Sequence, residues 1–440
     1  MFYLNKDVEL TAELLQKMIN RFNVSVMPHL QKNKNYYDGK QAILHKSYAD
    51  ADKPCSRTVI NYCKNIADAY CGYMATPGYI TYLTEQDVIL DILKYNDYAA
   101  QDAALLLDAL IYGVGVELMY IDAAGQTRFR NINPTTCFGV CDDSLTGDLQ
   151  YFVRMYKADE WSETDTYNVD VYSNYDVKHY QMAGMSGNVR LMSVEPHYFN
   201  QCPANILCMP DEKSIYDCVI GLQDAANEIV SSEIDDFSAF CDAYLVLTGV
   251  DAERDDIQTM KENRVIILPS DGAAANWLTK NANDAQVENI LKRIHDSIYR
   301  VAQCPDFSSE TFVGGVSSGV AIRYRLTGME NRAGIIEAIM KKALQRRVEI
   351  ICGIASLSLG EEVFRDINIE FKRNVPEDIA ATINLINSLK GSVSDATLLG
   401  QLDFIPDVNA ELEALDEQKQ RNLELYTFGS GDSSEAEENE

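Results

Sequence analysis

The sequence is short of base. Its 440 residues hold 38 Lys and Arg against 67 Asp and Glu, a net charge of −29. Phosphate backbones and anionic lipid surfaces attract proteins electrostatically, so this balance excludes an autonomous basic-patch nucleic-acid binder. It does not exclude a protein that handles nucleic acid by geometry. Long hydrophobic runs are also missing. The most apolar stretch, AALLLDALIYGVGVELMYI (103–121), carries Asp108 and Glu117 and is broken by Gly113 and Gly115, so it reads as a buried helix running into a strand. The start, MFYLNKDVELTAELL, has no basic region followed by an apolar core, and no secretory signal is expected. Eleven cysteines stand at irregular spacings without one Cys-x-x-Cys pair, which predicts reduced, mostly buried thiols in a cytosol-like compartment.

Signatures of chemistry are equally scarce. Gly39-Lys40 lacks the upstream glycine of a phosphate loop, and Gln41 stands where a Ser or Thr would hold magnesium. Gly113-Val114-Gly115 lacks a third glycine and runs from helix into strand, the wrong order for a dinucleotide. The histidines (His29, His45, His179, His197, His295) are scattered, no metal spacing occurs, and no Gly-x-Ser-x-Gly elbow is present. The acidic pairs Asp142-Asp143 and Asp235-Asp236 read as solvated surface in so acidic a chain. Neither metal nor cofactor is expected.

What is present is organisation. Residues 1–112 read as helical, with Ser56 placed to cap a helix bearing Val59, Ile60, Cys63, Ile66, Ala67 and Tyr70. From Val116 to about Val194 the period becomes that of strands, in VELMYID, RFRNI, LQYFVRMY, YNVDVY and VKHYQM. An α+β domain is expected there, its tyrosines on half-buried strands. A long helix follows, stepping through Ile215, Val219, Leu222, Ala226, Val230, Ile234, Phe237, Cys241 and Tyr244. The stretch 214–253 holds nine acids and no Lys or Arg, so a packing stripe opposes a negative one. A β-rich insert (YLVLTG, RVIILPSDG, NWL) precedes a returning amphipathic helix with Val287, Ile290, Leu291, Ile294, Ile298 and Val301. Helix, small β unit and returning helix make a stalk with a head on its tip.

The loop DFSSETFVGGVS (306–317) then leads into a third helical run, interrupted by Gly328 and Gly334. That run reverses the charge, with Arg323, Arg325, Arg332, Lys341, Lys342, Arg346 and Arg347 against Glu330, Glu337 and Glu349. Internal salt bridging to the acidic helices competes with contact to phosphates as its explanation. A strand alternates through Ile367, Ile369 and Phe371, and helices follow from Pro376, Ser394 and Asp407. The ending GSGDSSEAEENE is expected to be disordered.

These residues in this order resemble the portal proteins of tailed double-stranded DNA phages, of the kind found in long-tailed phages of Gram-positive bacteria. The resemblance rests on YYDGKQAIL (36–44), RTVINYCKNIADAYCGYM (57–74), the segment 215–249 ending FCDAYLVLTG, TFVGGVSSGVAIRYRLTGMENRAG (311–334), INIEFKRNVPED (367–378) and SDATLLGQL (394–402). It implies an α+β ring oligomer, twelve copies at one capsid vertex, through which DNA is packaged, retained and ejected. The implied regions are a wing (1–212), stem helices (213–243 and 285–305) and an α/β clip (244–284). Beyond them come a tunnel loop (306–317), a kinked tunnel helix (318–360), a wing strand (361–376), a helical crown (377–425) and an acidic tail (426–440). In that scheme Glu310, Thr311, Phe312, Val313, Gly314, Gly315 and Val316 face the DNA, Gly328 and Gly334 let the helix bend, and Arg323 and Arg325 are candidate DNA contacts. The implied partners are the chain itself, channel DNA, the large terminase subunit, a head-to-tail adaptor, and the scaffold and major capsid proteins. No membrane is implied; assembly in host cytoplasm and residence in the virion are. The portal hydrolyses nothing. Two other classes stay open: a different capsid-vertex protein, such as an adaptor or minor head protein, and an acidic cytosolic enzyme with an unrecognised spatial site.

Overall fold

The structure is a computed structural model and describes residues 1–49, 53–161, 165–185, 187–240, 244–248, 274–278, 284–308, 319–354, 363–373, 379–399 and 408–428. The chain divides into two compact units, one of residues 1–314 with 325–374, the other of 315–324 with 375–440.

In the first unit, strands β1 (Phe2–Leu4), β5 (Cys137–Asp142), β6 (Leu149–Lys157), β7 (Thr166–Tyr172), β8 (Asp176–Ala183) and β9 (Val189–Pro196) form a six-stranded sheet in the order β1-β5-β6-β7-β8-β9. β1 lies parallel to β5, and the rest is an antiparallel meander with bulges in the β5/β6 and β8/β9 pairs. A second sheet has β3 (Val114–Ile121) between β10 (Ala204–Cys208) and β4 (Thr127–Asn131). Val116, Leu118, Cys137, Phe152, Cys202 and Ala204 close a core between the two sheets. A cavity of about 280 Å³ lies beside it, lined mainly by apolar side chains such as Phe22, Leu30, Val116, Phe138 and Ile206.

The helices of this unit are α1 (Ala12–Arg21), α2 (Met27–Tyr37), α3 (Tyr62–Met74), α4 (Asp87–Tyr95), α5 (Tyr98–Tyr112), α6 (Ile220–Phe240) and α7 (Asp284–Ala302). The long helix α8 (Gly319–Cys352) follows. α5 ends where the sequence changes period. Gly113 takes φ +83°, its N–H caps Ala109 at 2.9 Å, and β3 begins at the next residue. Strand β2 (Ile80–Leu83) pairs with β13 (Asn368–Phe371), which buries Ile367 and Ile369 as their alternation predicts. Between α6 and α7, Tyr244–Thr248 (β11) and Ala274–Leu278 (β12) pair antiparallel, and α6 packs on α7. The segment RVIILPSDG lies outside the described residues.

The second unit holds α9 (Ile379–Leu389), α10 (Asp395–Leu399) and α11 (Val408–Phe428). The Ser394 hydroxyl accepts the Thr397 N–H at 3.4 Å, as its capping position predicts. The ending GSGDSSEAEENE (429–440) lies outside the described residues.

Four local expectations need correction. Residues 1–112 contain two strands, β1 and β2, each too short for its period to stand out. The predicted helix start at Ser56 is wrong: α3 begins at Tyr62, capped by Asn61, because the N–H groups of Ser56, Thr58 and Ile60 bond instead to side chains of α6. Asp142 and Asp235 are not solvated surface. Asp142 is buried and holds a turn by accepting from Ser144 N, Ser144 Oγ and Asp148 N, and the Ser144 hydroxyl foremost keeps its carboxyl below the usual range. Finally, the face of α6 buried within the chain includes Gln223, Asn227, Ser231 and Asp235, while the predicted packing residues Ile234 and Phe237 are exposed.

Candidate functional site

The long helices meet at one junction, and α8 organises it. Leu326, Met329, Ala333, Ile336, Met340, Leu344, Arg347 and Ile351 step by three or four residues along α8, and all are buried. A stripe of this kind seats the helix, and the polar side chains beside it fix its partners.

Arg332 bridges the ends of two helical segments. Its Nη1 donates to the carbonyl of Ala302, the last residue of α7, at 3.0 Å. Its Nη2 donates to the carbonyl of Ile215, just before α6, at 2.9 Å. A cation there complements the negative end of the α7 dipole. The Tyr70 hydroxyl completes the cap by donating to Ala302 O and Gln303 O, each at 3.0 Å, and its ring lies 5.8 Å from the Arg332 guanidinium. Gln303 itself turns left-handed, at φ +54°, as a residue just past a helix end commonly does.

A second anchor joins α8 to β13. Arg373 donates through Nε to both Glu330 oxygens at 3.2 and 3.1 Å, and through Nη2 to Glu337. Tyr73 donates its hydroxyl to Glu330 Oε2 at 2.6 Å. Burial raises the Glu330 carboxyl, but the Tyr73 hydroxyl and the Arg373 charge together hold it below the usual range. The third anchor is Arg347, which is fully buried against Asp102 of α5 and Glu117 of β3. Arg346 pairs with Gln201 and Glu349. Arg332, Arg346 and Arg347 are thus all engaged within the chain, the first by carbonyls and the other two by carboxylates.

The sequence-predicted residues fall in two places. Glu310, Thr311, Phe312, Val313, Gly314, Gly315 and Val316 lie outside the described residues. Arg323 and Arg325 sit on the first turns of α8 and are exposed. α8 runs as one α-helix through Gly328 and Gly334. Sequence reasoning missed Tyr70, Tyr73 and Arg373, whose roles depend on carbonyls and carboxylates far away in the chain.

Burial pushes the thiols of Cys63 and Cys304 up to about 12 and that of Cys352 to about 11, so all three stay protonated near neutral pH. Among the described residues, no three His, Cys, Asp or Glu side chains are grouped to hold a metal ion, and no helix is long and apolar enough to cross a membrane.

Comparison with known sequences gives this arrangement its family. Residues 19–425 match the family described as "Phage portal protein, SPP1 Gp6-like". The chain belongs to that family. The portal protein of Bacillus phage SPP1 is 21% identical over 422 residues, spanning 90% of this chain and 82% of that one. As a phage portal protein, the chain is a structural component of the capsid. The resemblance read from residues 36–402 is thereby borne out at the level of family and function.

Proposed function

We propose that about twelve copies of the chain close into a ring at one capsid vertex and that DNA passes through its centre. In this reading 1–212 is the wing, α6 and α7 are the stem, and 244–284 is the clip that meets the large terminase subunit and later the head-to-tail adaptor. Residues 306–317 form the tunnel loop, α8 the tunnel helix, and 377–425 the crown facing the capsid interior. Scaffold and major capsid proteins surround the wing.

The observation that carries the reading is the stem pair. α6 and α7 pack together on either side of the β11–β12 ribbon in the sequence, yet Phe237 is 73% exposed, Val301 47%, Ile290 40% and Ile234 39%. Apolar residues at helical spacing on long helices call for a cover, and neighbouring copies in a ring supply one. Charge supports the same function. A ring of −29 subunits repels the DNA that must slide through it, and the glycines at 314, 315, 328 and 334 give the loop and its helix freedom to move.

Negative-stain microscopy of the purified protein tests the ring. A turbine-shaped particle with a central channel is expected, and a small globular particle would overturn the reading. Replacing residues 312–315 tests the loop: packaging or retention of DNA should fail, and if both persist the loop has no gating role.

A further inference from the structure

Four polar side chains stand one turn apart on α6: Gln223, Asn227, Ser231 and Asp235. The first three have no exposure at all, and Asp235 has 8%. A stripe of this composition ordinarily faces water. Here each member accepts one backbone N–H from residues 56–62, the segment that leads into the first residue of α3. Tyr62 donates to Gln223 Oε1 at 3.0 Å, Ile60 to Asn227 Oδ1 at 2.9 Å, Thr58 to Ser231 Oγ at 3.0 Å and Ser56 to Asp235 Oδ1 at 2.5 Å.

Two periodicities make this possible. Four helical residues rise about 6.0 Å, and two extended residues span about 6.6 Å, so alternate amides of the segment meet successive turns of the helix. The accumulated mismatch over three steps is about 2 Å, which side-chain torsions absorb. Neighbouring groups complete the seam. Asn227 Nδ2 donates to Gln41 Oε1, the Tyr36 hydroxyl donates to Asp224 at 2.9 Å, and Lys46 lies 3.1 Å from Glu228 and 3.5 Å from Asp235.

An apolar contact tolerates small rotations, whereas this seam does not. Turning α6 by one residue, about 100°, carries all four acceptors away and leaves half-buried N–H groups unbonded. We propose that Gln223, Asn227, Ser231 and Asp235 are positioning residues that fix the rotation and axial register of α6, and so the direction in which Ile234 and Phe237 meet a neighbouring copy. The second half of this statement rests on the ring reading above.

Two measurements on the full chain test it. Residue-resolved hydrogen exchange should show alternation across 56–62, with the amides of 56, 58, 60 and 62 slow and those of 57, 59 and 61 faster. Ser231→Ala should speed exchange at Thr58 by about tenfold, and Ser231→Thr should restore it. Even protection across the segment, or no selective change at Thr58, overturns the seam. Native mass spectrometry then reads ring copy number. The wild type should give one number, and Asn227→Leu, which keeps shape but loses the acceptor, should broaden the distribution or cut ring yield severalfold. Unchanged rings overturn the positioning role. A wild type that forms no ring while the alternation persists overturns the ring reading and, with it, the presentation to a neighbour.

Discussion

The guanidinium of Arg347 donates through Nε to both oxygens of Glu117, at 2.8 Å to Oε1 and 3.0 Å to Oε2, with Nη2 2.8 Å from Oε2 and both side chains fully buried. Its Nη1 turns to Asp102 and to the Tyr82 hydroxyl, and the Phe129 ring lies 4.4 Å away. Asn205 donates to Glu117 at 2.8 Å and Tyr82 to Asp102 at 3.0 Å. Burial drives the Asp102 carboxyl upward, and the Arg347 charge opposes that. One cation on α8 thus serves two buried acids, one on α5 and one on β3. Arg347→Met leaves both without a counter-charge and should cost about 3–5 kcal/mol of folding free energy in urea titration. A loss below about 1 kcal/mol would mean that water or protonation replaces the arginine.

Gly113 joins α5 to β3 at φ +83°, and a Cβ placed there would lie 2.3 Å from the Glu212 carbonyl oxygen. Gly125 has nearly the same φ, +77°, with nothing within 4 Å. The pair separates backbone strain from crowding. Gly125→Ala should cost about 1 kcal/mol, and Gly113→Ala about 2–4 kcal/mol, because overpacking adds to the strain. Equal midpoint shifts would show that the 210–213 loop moves aside freely.

How legible this was in the sequence depends on range. Strands such as YNVDVY and VKHYQM were readable because alternation is local, and both appear where expected as β7 and β8. Ser56 misled because the acceptor for its amide, Asp235, is 179 residues away and overrides the local capping preference. The α6 stripe misled for a related reason. Periodicity reveals that a helix has two unlike faces, but not which neighbour covers each one. The spacing of Gln223, Asn227, Ser231 and Asp235 was visible all along, yet only the segment 56–62 beside it explains why polar residues lie inside. The portal family was legible in the order of several motifs, whereas the tunnel-loop residues 310–316 remain a proposal from that resemblance.

Tyr70 and Arg332 share the Ala302 carbonyl, at 3.0 Å each. Tyr70→Phe removes a buried hydroxyl and should cost about 1–3 kcal/mol. Arg332→Met removes the other donor to the same oxygen and also frees the Ile215 carbonyl. Since both act on one helix end, the double mutant should deviate from additivity by about 0.5–1 kcal/mol, beyond the scatter for independent sites. Strict additivity in a double-mutant cycle would show that the two caps work separately.

Glu330 should give the junction a measurable acid sensitivity. Its carboxyl is held below the usual range because the Tyr73 hydroxyl and the Arg373 guanidinium outweigh the effect of burial. A folded value below the unfolded one means that the folded chain binds fewer protons. The stabilisation is therefore present above about pH 4.3, the ordinary Glu value, and is lost as pH falls through the lower folded value. Glu330→Gln keeps the shape and removes the charge. Since the side chain is 46% exposed, the deficit at pH 7 should stay within about 1 kcal/mol. Titrated in urea from pH 7 to pH 3, the wild type should lose its advantage over the variant, and the two curves should converge. A gap that stays constant across that range would place the value of Glu330 in packing alone and remove its charge from the anchor between α8 and Arg373.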